Sequence, residues 1–295
     1  MKLLTFRYQN QRMPGVLSED MTRVIPVSAF GLPYPDMLSL IRSVTPEEME
    51  GLRSRRAELA EKEGIGLALT EKCAPIPCPD QDVICLGINY MAHAEESARF
   101  KHEEFNGERP YAVYFSKRVS EAVADGGLID SHSDIVDSLD YEAELAFIIS
   151  RDARNVPAEK AAEYVFGYTV LNDVSARTIQ NRHKQWYFGK SLDGFTPMGP
   201  WIVTADEVEF PPAREISCLV NGELRQHSNT AQMIFGIPHI ISELSRGMTL
   251  RAGTIISTGT PSGAGMGFQP PKYLKPGDQV VCQVEGIGTI TNEVR

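Results

Sequence analysis

Apolar and polar positions alternate most clearly over residues 138–149, which read SLDYEAELAFII. β-Favouring residues dominate this stretch and neither Gly nor Pro interrupts it, so we predict a strand. Because side chains of a strand alternate between its two faces, Glu142 and Glu144 share a face. Ala146 and Ile148 continue that face, which indicates a covered face where two carboxylates need a cation or hydrogen-bond donors. For an isolated Glu-x-Glu, the commoner explanation is an edge strand with exposed glutamates.

The first 77 residues predict a small mixed region. Thr45 suits a helix N-cap, Pro46 the first helical position and Glu48 the closing residue of a capping box. We therefore predict a helix that begins here and runs to about Glu63. The other predicted elements of this region are strands at residues 3–8 and 22–27 and a short helix at residues 36–42.

A proline-rich segment follows this region. Pro75, Pro77 and Pro79 occupy alternate positions, and proline is not tolerated inside a helix or a central strand. We therefore predict a domain boundary here, with a small α+β N-terminal domain at residues 1–77 and a larger domain at residues 78–295.

The larger domain shows many short strands and few helices. This pattern indicates a sheet that is closed or folded on itself, so the predicted class is mostly β with α. The predicted strands lie at residues 82–87, 111–115, 138–149, 167–173, 201–204, 216–220, 254–258 and 279–285, and the predicted helices at residues 157–165, 174–184 and 230–245.

Composition narrows the classes of partner. The 295 residues carry a formal net charge of −10, which argues against general binding of nucleic acid or anionic membranes. No apolar run reaches the roughly 18 to 20 residues of a membrane helix. The five cysteines lack the paired spacing of a zinc site, and they predict reduced thiols of a cytoplasmic protein.

Carboxylates on two predicted strands indicate a cation site. Asp173 ends a strand, and Arg177 and Gln180 follow at +4 and +7, on one face of the predicted helix. Taken alone, Asp173 is explained as the N-cap of that helix. Together with Glu142 and Glu144, however, it forms a set of three carboxylates, which suits a hard divalent cation such as Mg²⁺ with open positions for substrate.

A His–Glu pair follows the strand that ends at residue 87. His93 and Glu96 are three positions apart, close enough for contact in a helical turn. A carboxylate beside an imidazole orients it and raises its basicity, as deprotonation of water requires. The alternative is a coincidental pair on a surface helix. We predict that the charged segment from Met91 to about Pro110 is a mobile lid.

Lys190 lies in the aromatic sequence WYFGKS, where a cation would stabilise a developing enolate or oxyanion; the alternative is a surface lysine. The glycine-rich stretch 257–267 lacks the Lys-Ser/Thr of a phosphate-binding loop and the dinucleotide-binding fingerprint. We therefore interpret it as a tight loop that lets its backbone and the Thr260 hydroxyl approach a ligand.

In their order and spacing, these motifs resemble the fumarylacetoacetate hydrolase family from about residue 83 to residue 295, including its bacterial acylpyruvate hydrolases and 2-oxohept-3-ene-1,7-dioate isomerase/hydratases. The matching blocks are G-x-N-Y-x-x-H-x-x-E at residues 87–96, D-Y-E-x-E at 140–144, N-D-V-S-A-R-x-x-Q at 172–180, G-K-S at 189–191, M-G-P at 198–200, N-G at 221–222, T-G-T-P at 258–261 and G-x-G at 286–288.

The resemblance implies a mixed β-barrel or roll behind a small N-terminal domain, and a homodimer. It also assigns expected roles to nine residues of this chain. These are a Mg²⁺ or Mn²⁺ site at Glu142, Glu144 and Asp173, catalytic roles for His93, Glu96 and Lys190, and substrate contacts from Arg177, Gln180 and Thr260.

The expected chemistry follows from such a site. A 2-oxo acid chelates a metal through its carboxylate and keto oxygens, and this stabilises the enolate released when a neighbouring C–C bond breaks. The expected reaction is hydrolysis of an acylpyruvate-type 2,4-dioxo acid. Oxaloacetate decarboxylation, tautomerisation and (de)hydration of 2-oxo acids are alternatives on the same site. A metal-stapled ligand-binding protein is the non-enzyme alternative, but it would not need His93, Lys190 or Arg177.

Overall fold

The computed structural model describes residues 1–102, 104 and 107–295. Its N-terminal region opens with three antiparallel strands, and three short helices and two very short strands follow. These elements are β1 (Lys2–Tyr8), β2 (Gln11–Leu17), β3 (Arg23–Pro26), α1 (Met37–Ser43), α2 (Pro46–Ser54), α3 (Arg56–Lys62), β4 (Ile65–Gly66) and β5 (Glu71–Lys72).

The rest of the chain alternates short strands with four helices among the described residues. Its elements are β6 (Val83–Gly87), α4 (Met91–Lys101), β7 (Val113–Lys117), β8 (Leu128–Ile129), β9 (Leu139–Asp140), β10 (Ala143–Ile149), β11 (Val165–Asn172), β12 (Ser175–Ala176), α5 (Arg177–Arg182), α6 (Tyr187–Lys190), β13 (Met198–Thr204), β14 (Glu215–Val220), β15 (Glu223–Asn229), α7 (Ile237–Gly247), β16 (Ile255–Ser257), β17 (Gln279–Val284) and β18 (Gly288–Val294).

These strands form two large sheets and one small sheet. The first has eleven strands in the order β4-β3-β2-β1-β13-β11-β10-β16-β6-β7, with β5 beside β1. The second has the order β15-β14-β17-β18-β8, and β12 pairs with β9. The mixed α and β class is confirmed. The expected roll is realised as open sheets, since the strands that the structure describes close no barrel.

The N-terminal strands belong to the large sheet, because β1 pairs antiparallel with β13. This pairing joins the two predicted domains through one sheet, and the domain boundary at residue 77 stays a prediction. The capping box is confirmed, since the Glu48 N–H donates to Thr45 Oγ1 at 3.2 Å and the Thr45 N–H donates to Glu48 Oε2 at 2.9 Å. The helix predicted after it is two helices, α2 and α3, separated at Arg55.

Strand β10 lies in the middle of the molecule. It pairs antiparallel with β11 on one side and with β16 on the other, and its seven residues are all buried. Leu145 and Phe147 join the core shared with the five-stranded sheet. Ala146 and Ile148 join the core under the N-terminal helices. The predicted alternation is therefore confirmed, and both faces of this strand are covered.

Several sequence predictions differ from the structure. Strand β2 was not predicted because Pro14 and Gly15 interrupt its apolar pattern. The helix expected at 157–165 is a 3₁₀ helix, Ala158–Tyr164. The helix expected at 230–245 begins only at Ile237, which places Pro238 in its first turn. None of the described helices has the length and apolar character needed to cross a membrane.

Candidate active site

Three buried carboxylates meet where β10 and β11 lie side by side. Glu144 is the second residue of β10, and Glu142 lies in the short break between β9 and β10. Asp173 directly follows β11, and its N–H donates to the Glu142 carbonyl oxygen at 2.9 Å. One oxygen of each carboxylate lies within 4.8 Å of those of the other two. The structure therefore brings the three predicted metal-ligating residues together.

Two predicted cations lie on this cluster. Lys190 Nζ donates to Glu142 Oε2 and to Asp173 Oδ2, at 2.6 Å each. Arg177 Nη2 donates to Glu142 Oε1 at 2.6 Å. Burial raises the pKa of Glu142, but the charges of Arg177 and Lys190 outweigh it and hold that pKa below its ordinary value. Glu142 is therefore stabilised in its charged form.

Glu144 has a different environment. Its Oε2 accepts from Ser257 Oγ at 2.5 Å and from the Gly259 N–H at 2.9 Å. Within the described part of the chain, no basic side chain forms an ion pair with it. Burial, followed by repulsion from Asp173 and Glu142, raises its pKa well above the ordinary value. An oxygen-liganded divalent cation would supply the missing positive charge, so this donor set fits such a metal.

The sequence predicted Asp173, Arg177 and Gln180 on one helix face. This is wrong for Asp173, because β12 intervenes and α5 begins only at Arg177. Strand β12 pairs with β9, which returns the chain to the cluster. The Arg177–Gln180 contact is confirmed, with Arg177 Nη1 donating to Gln180 Oε1 at 3.2 Å. Gln180 therefore keeps its amide nitrogen as a donor for other partners.

Sequence reasoning missed Lys117, which lies at the end of β7 and is completely buried. Its Nζ donates to Asp173 Oδ1 at 2.8 Å, to the Val174 carbonyl at 3.0 Å and to the Lys190 carbonyl at 2.5 Å. Burial, opposed by Asp173 and aided by Lys190, lowers its pKa. No sequence spacing connects Lys117 with Asp173. The available signal was a lysine two residues after the apolar strand predicted at residues 111–115.

Asp140 was part of a quoted motif but received no role. Its carboxylate accepts from Arg177 Nε at 2.8 Å and from the N–H groups of Gly265 and Met266 at 2.7 and 3.1 Å. It therefore connects the guanidinium of Arg177 to the glycine-rich loop. A buried aspartate with these partners orients Arg177 toward Glu142.

The His–Glu pair forms as predicted. His93 and Glu96 lie on α4, both buried, with His93 Nδ1 2.8 Å from Glu96 Oε2. The other oxygen, Glu96 Oε1, accepts from the Gly263 N–H at 2.9 Å. The alternative of an exposed surface pair is therefore wrong. Mobility of the predicted lid at 91–110 stays a prediction, and its residues 103, 105 and 106 lie outside the described residues.

The glycine-rich loop acts mainly on the protein's own carboxylates. Its backbone N–H groups at Gly259, Gly263 and Gly265 donate to Glu144, Glu96 and Asp140, respectively. The Thr260 hydroxyl donates to the Ala143 carbonyl at 2.9 Å and accepts from Gln226 Nε2 at 2.8 Å. Thr260 lines the cleft, but its hydroxyl proton already has a protein acceptor.

One cleft is lined by seven of the nine predicted residues, and the other two, Glu96 and Asp173, bind its lining residues His93 and Lys190. Its polar end is formed by His93, Glu142, Glu144, Arg177, Gln180, Lys190 and Thr260, and its other walls by Leu86, Gly87, Ile88, Ser97, Phe100, Phe115, Asn181, Trp186 and Met266. His93 therefore lines the same space as Glu142 and Glu144. This arrangement places a base and a candidate cation site around one cleft of small-molecule size.

Comparison with known proteins agrees with this geometry. Residues 82–295 match the fumarylacetoacetate (FAA) hydrolase C-terminal family. The oxaloacetate tautomerase YisK of Bacillus subtilis is 44% identical over 221 residues, covering 75% of this chain and 72% of that protein.

Solved structures that match over the whole of this chain include two that are informative about the site. A fumarylacetoacetate hydrolase from Exiguobacterium antarcticum is 37% identical with a TM-score of 0.83 and is covered over 99% of its length. A maleylpyruvate hydrolase from Sphingobium sp. SYK-6, in complex with manganese(II) and pyruvate, is 30% identical with a TM-score of 0.75 and is covered over 98%. Together with the acidic triad, these matches show that the chain belongs to the fumarylacetoacetate hydrolase family of metal-dependent enzymes.

Proposed function

We propose that this enzyme hydrolyses the C–C bond of an acylpyruvate-type 2,4-dioxo acid. Water adds to the acyl carbonyl at carbon 4, the bond between carbons 3 and 4 breaks, and a carboxylic acid and pyruvate are released. The observation that carries this proposal is that His93, paired with the buried Glu96, lines the same cleft as Glu142 and Glu144 of the acidic triad. Hydrolysis needs a base on one side of the substrate and a stabilised enolate on the other.

Glu142, Glu144 and Asp173 would hold Mg²⁺ or Mn²⁺. A divalent cation bound there supplies positive charge to the carboxylate and 2-oxo group of the substrate. The chain itself prepares this site. Arg177 keeps Glu142 charged and in place, and Ser257 and the Gly259 N–H fix the orientation of Glu144.

His93 is the proposed general base. Its Nδ1 bonds with Glu96, which leaves Nε2 to accept the proton of the attacking water. Glu96 fixes the tautomer of the ring and stabilises the imidazolium that forms. The N–H of Gly263 in turn holds the Glu96 carboxylate, so the loop positions the base. The proton on His93 then becomes available for the enol carbon of the departing pyruvate.

Lys190 and Gln180 are the proposed contacts for the oxyanion. Lys190 Nζ is buried beside Glu142 and Asp173, which raise its pKa although burial alone would lower it. It is therefore a charged donor at the place where enolate charge develops. The Gln180 amide nitrogen and the oxygen of Thr260 complete the proposed substrate contacts, whereas Arg177 is largely committed to Asp140 and Glu142.

Oxaloacetate tautomerisation is the second candidate. The Bacillus subtilis relative carries this name at 44% identity. The same residues serve it, because His93 would move a proton between carbon 3 and the 2-oxygen while Lys190 stabilises the enolate oxygen. This reaction requires no attacking water.

The test uses the full-length protein, stripped with EDTA and reloaded with Mg²⁺ or Mn²⁺. Acetylpyruvate is supplied and pyruvate is measured with lactate dehydrogenase, while ketonisation of enol-oxaloacetate is followed by its absorbance. We expect metal-dependent release of pyruvate and acetate. Ketonisation without pyruvate release would select the second candidate, and inactivity in both assays would overturn both. Light scattering on the same sample tests the homodimer that we also propose.

A further inference from the structure

The cleft has two chemically different ends. The polar end carries the carboxylates and cations, and the remaining lining side chains are apolar apart from Ser97 and Asn181. We call the apolar residues the aromatic subsite, and they are Leu86, Ile88, Phe100, Phe115, Trp186 and Met266. The proposed function uses only the polar end, which takes the 2-oxo acid half of the substrate.

The local sequence builds this aromatic subsite. A Cβ at Gly87 would lie 2.1 Å from Trp186 Cζ3 and 2.7 Å from its Cη2. The indole ring therefore takes this position only because residue 87 has no side chain. The Trp186 ring also packs edge-to-face on Phe115, with centroids 5.2 Å apart and planes at 70°. Such packing fixes both rings.

Phe115 joins the two ends of the cleft. Its ring centroid lies 5.2 Å from Lys190 Nζ, the cation that contacts Glu142 and Asp173. The aromatic wall thus begins directly beside the proposed enolate site. The acyl group of a 2,4-dioxo acid is separated from the 2-oxo group by a single carbon, so it extends from that site along this wall.

No described residue of this end offers a charge partner to an anion. Among the described lining residues the basic side chains are His93, Arg177 and Lys190. His93 pairs with Glu96, and Arg177 and Lys190 each bind two carboxylates. A second substrate carboxylate in the aromatic subsite would lose its hydration without gaining an ion pair, which is costly.

We propose that the aromatic subsite binds the acyl group and selects uncharged acyl groups over those that end in a second carboxylate. This inference rests on the proposed hydrolase function and names its substrate class. Each methylene buried against the wall raises kcat/KM about fourfold. A terminal carboxylate lowers kcat/KM at least about tenfold relative to an uncharged group of equal shape.

The test compares two pyruvates of matched shape, acylated with a 4-methylpentanoyl or a succinyl group, since an isopropyl group has the shape of a carboxylate. We expect kcat/KM to favour the 4-methylpentanoyl compound at least about tenfold. Equal rates, or a preference for the succinyl compound, would overturn the inference. Calorimetric binding of both compounds to the metal-loaded protein gives the same comparison without turnover, so an inactive protein still decides it.

Trp186→Arg places a cation in the subsite. It should lower or reverse the kcat/KM preference for the 4-methylpentanoyl compound over the succinyl compound. Tyr187→Arg is the matched control, because Tyr187 is the exposed neighbour of Trp186 and does not line the cleft. The control should keep the wild-type ratio. Oxalate affinity in the presence of metal should be equal in both variants, because oxalate reaches only the polar end. An unchanged ratio in Trp186→Arg, with oxalate binding intact, would remove Trp186 from the subsite.

Discussion

The carboxylate cluster and the His93–Glu96 pair are both buried, but different parts of the fold support them. In the carboxylate cluster, Glu144 lies on β10, Glu142 directly precedes β10 and Asp173 directly follows β11. Both strands are paired on both sides within the large sheet. The His93–Glu96 pair lies on α4, a helix of 11 residues whose N-cap, Tyr90, makes no side-chain capping bond. The cluster is therefore part of the core of the fold, whereas the pair depends on how one helix docks.

The carboxylate cluster also receives more charged hydrogen-bond donors than the His93–Glu96 pair. Lys117, Lys190 and Arg177 all donate to the cluster. Among the residues that the structure describes, the pair receives one backbone donor at Glu96, the N–H of Gly263. The comparison teaches that metal binding and proton transfer can be disrupted separately. Substitutions on the sheet should remove both, and substitutions at α4 or its loop contacts should remove only proton transfer.

The largest effect is expected for Glu144→Gln. Loss of this carboxylate should abolish Mg²⁺ binding and lower hydrolysis by about 10³-fold or more, since a metal contributes several kcal/mol. The unfolding free energy without metal should not fall, because burial and the charges of Asp173 and Glu142 already disfavour the ionised form. Calorimetry with Mg²⁺ and urea unfolding measure the two effects.

Glu163→Gln is the matched control for this prediction, because Glu163 is exposed and pairs only with Arg151 among its described ion-pair partners. Glu163→Gln should change neither the Mg²⁺ affinity nor the unfolding free energy measurably. Unchanged Mg²⁺ affinity in Glu144→Gln would show that Glu144 is not a ligand and that the sheet does not carry the metal site.

An intermediate effect is expected for His93→Ala. Hydrolysis should fall about 10²- to 10⁴-fold, the usual contribution of a positioned base, while oxalate affinity with metal stays close to wild type. His239→Ala is the control, since His239 forms a comparable helical pair with Glu243 on α7 but is exposed. Steady-state kinetics and calorimetry check both variants. Full hydrolysis by His93→Ala would place the base elsewhere.

The sequence predicted the carboxylates beside the sheet better than it predicted the side chains that bind them. Alternation placed Glu144 correctly because β10 is buried on both faces and keeps a strict period of two, and Glu142 lies in the short break directly before this strand. The i, i+3 spacing likewise brought His93 to Glu96. Lys117 was missed because its partner, Asp173, is 56 positions away and only the sheet order brings them together. Such long-range contacts leave no local pattern.

The glycine-rich loop shows the same limit. Its composition predicted close backbone approach, but the sequence did not reveal that the approaching groups are Glu96, Glu144 and Asp140 of the protein itself. Periodicity and turn-forming residues predict that a loop can approach another group closely. Tertiary packing decides which group it contacts. The strand predicted at residues 138–149 is interrupted at residues 141 and 142, and α5 starts late, because β9 and β12 pair with each other there.

The smallest effect is expected for Gly267→Ala. A Cβ at this position would lie 1.9 Å from Glu96 Oε1 and 2.2 Å from Glu96 Cδ, and the backbone of Gly267 is outside the left-handed region, so alanine is otherwise allowed there. The Glu96 carboxylate must therefore move and lose its alignment with His93. Hydrolysis should fall about 10- to 100-fold, the effect of a small misplacement, with metal and oxalate binding unchanged.

A double-mutant cycle decides whether this loss acts through Glu96. In a Glu96→Ala background there is no carboxylate to displace, so adding Gly267→Ala should have little further effect on kcat. Gly247→Ala, where a Cβ meets no atom within 4 Å, should be neutral in both backgrounds. If Gly267→Ala instead costs its full factor without the carboxylate, the loop affects the cleft directly. In that case the pair on α4 does not depend on this contact. The carboxylate cluster and the pair would then differ only in the charged groups that bind them.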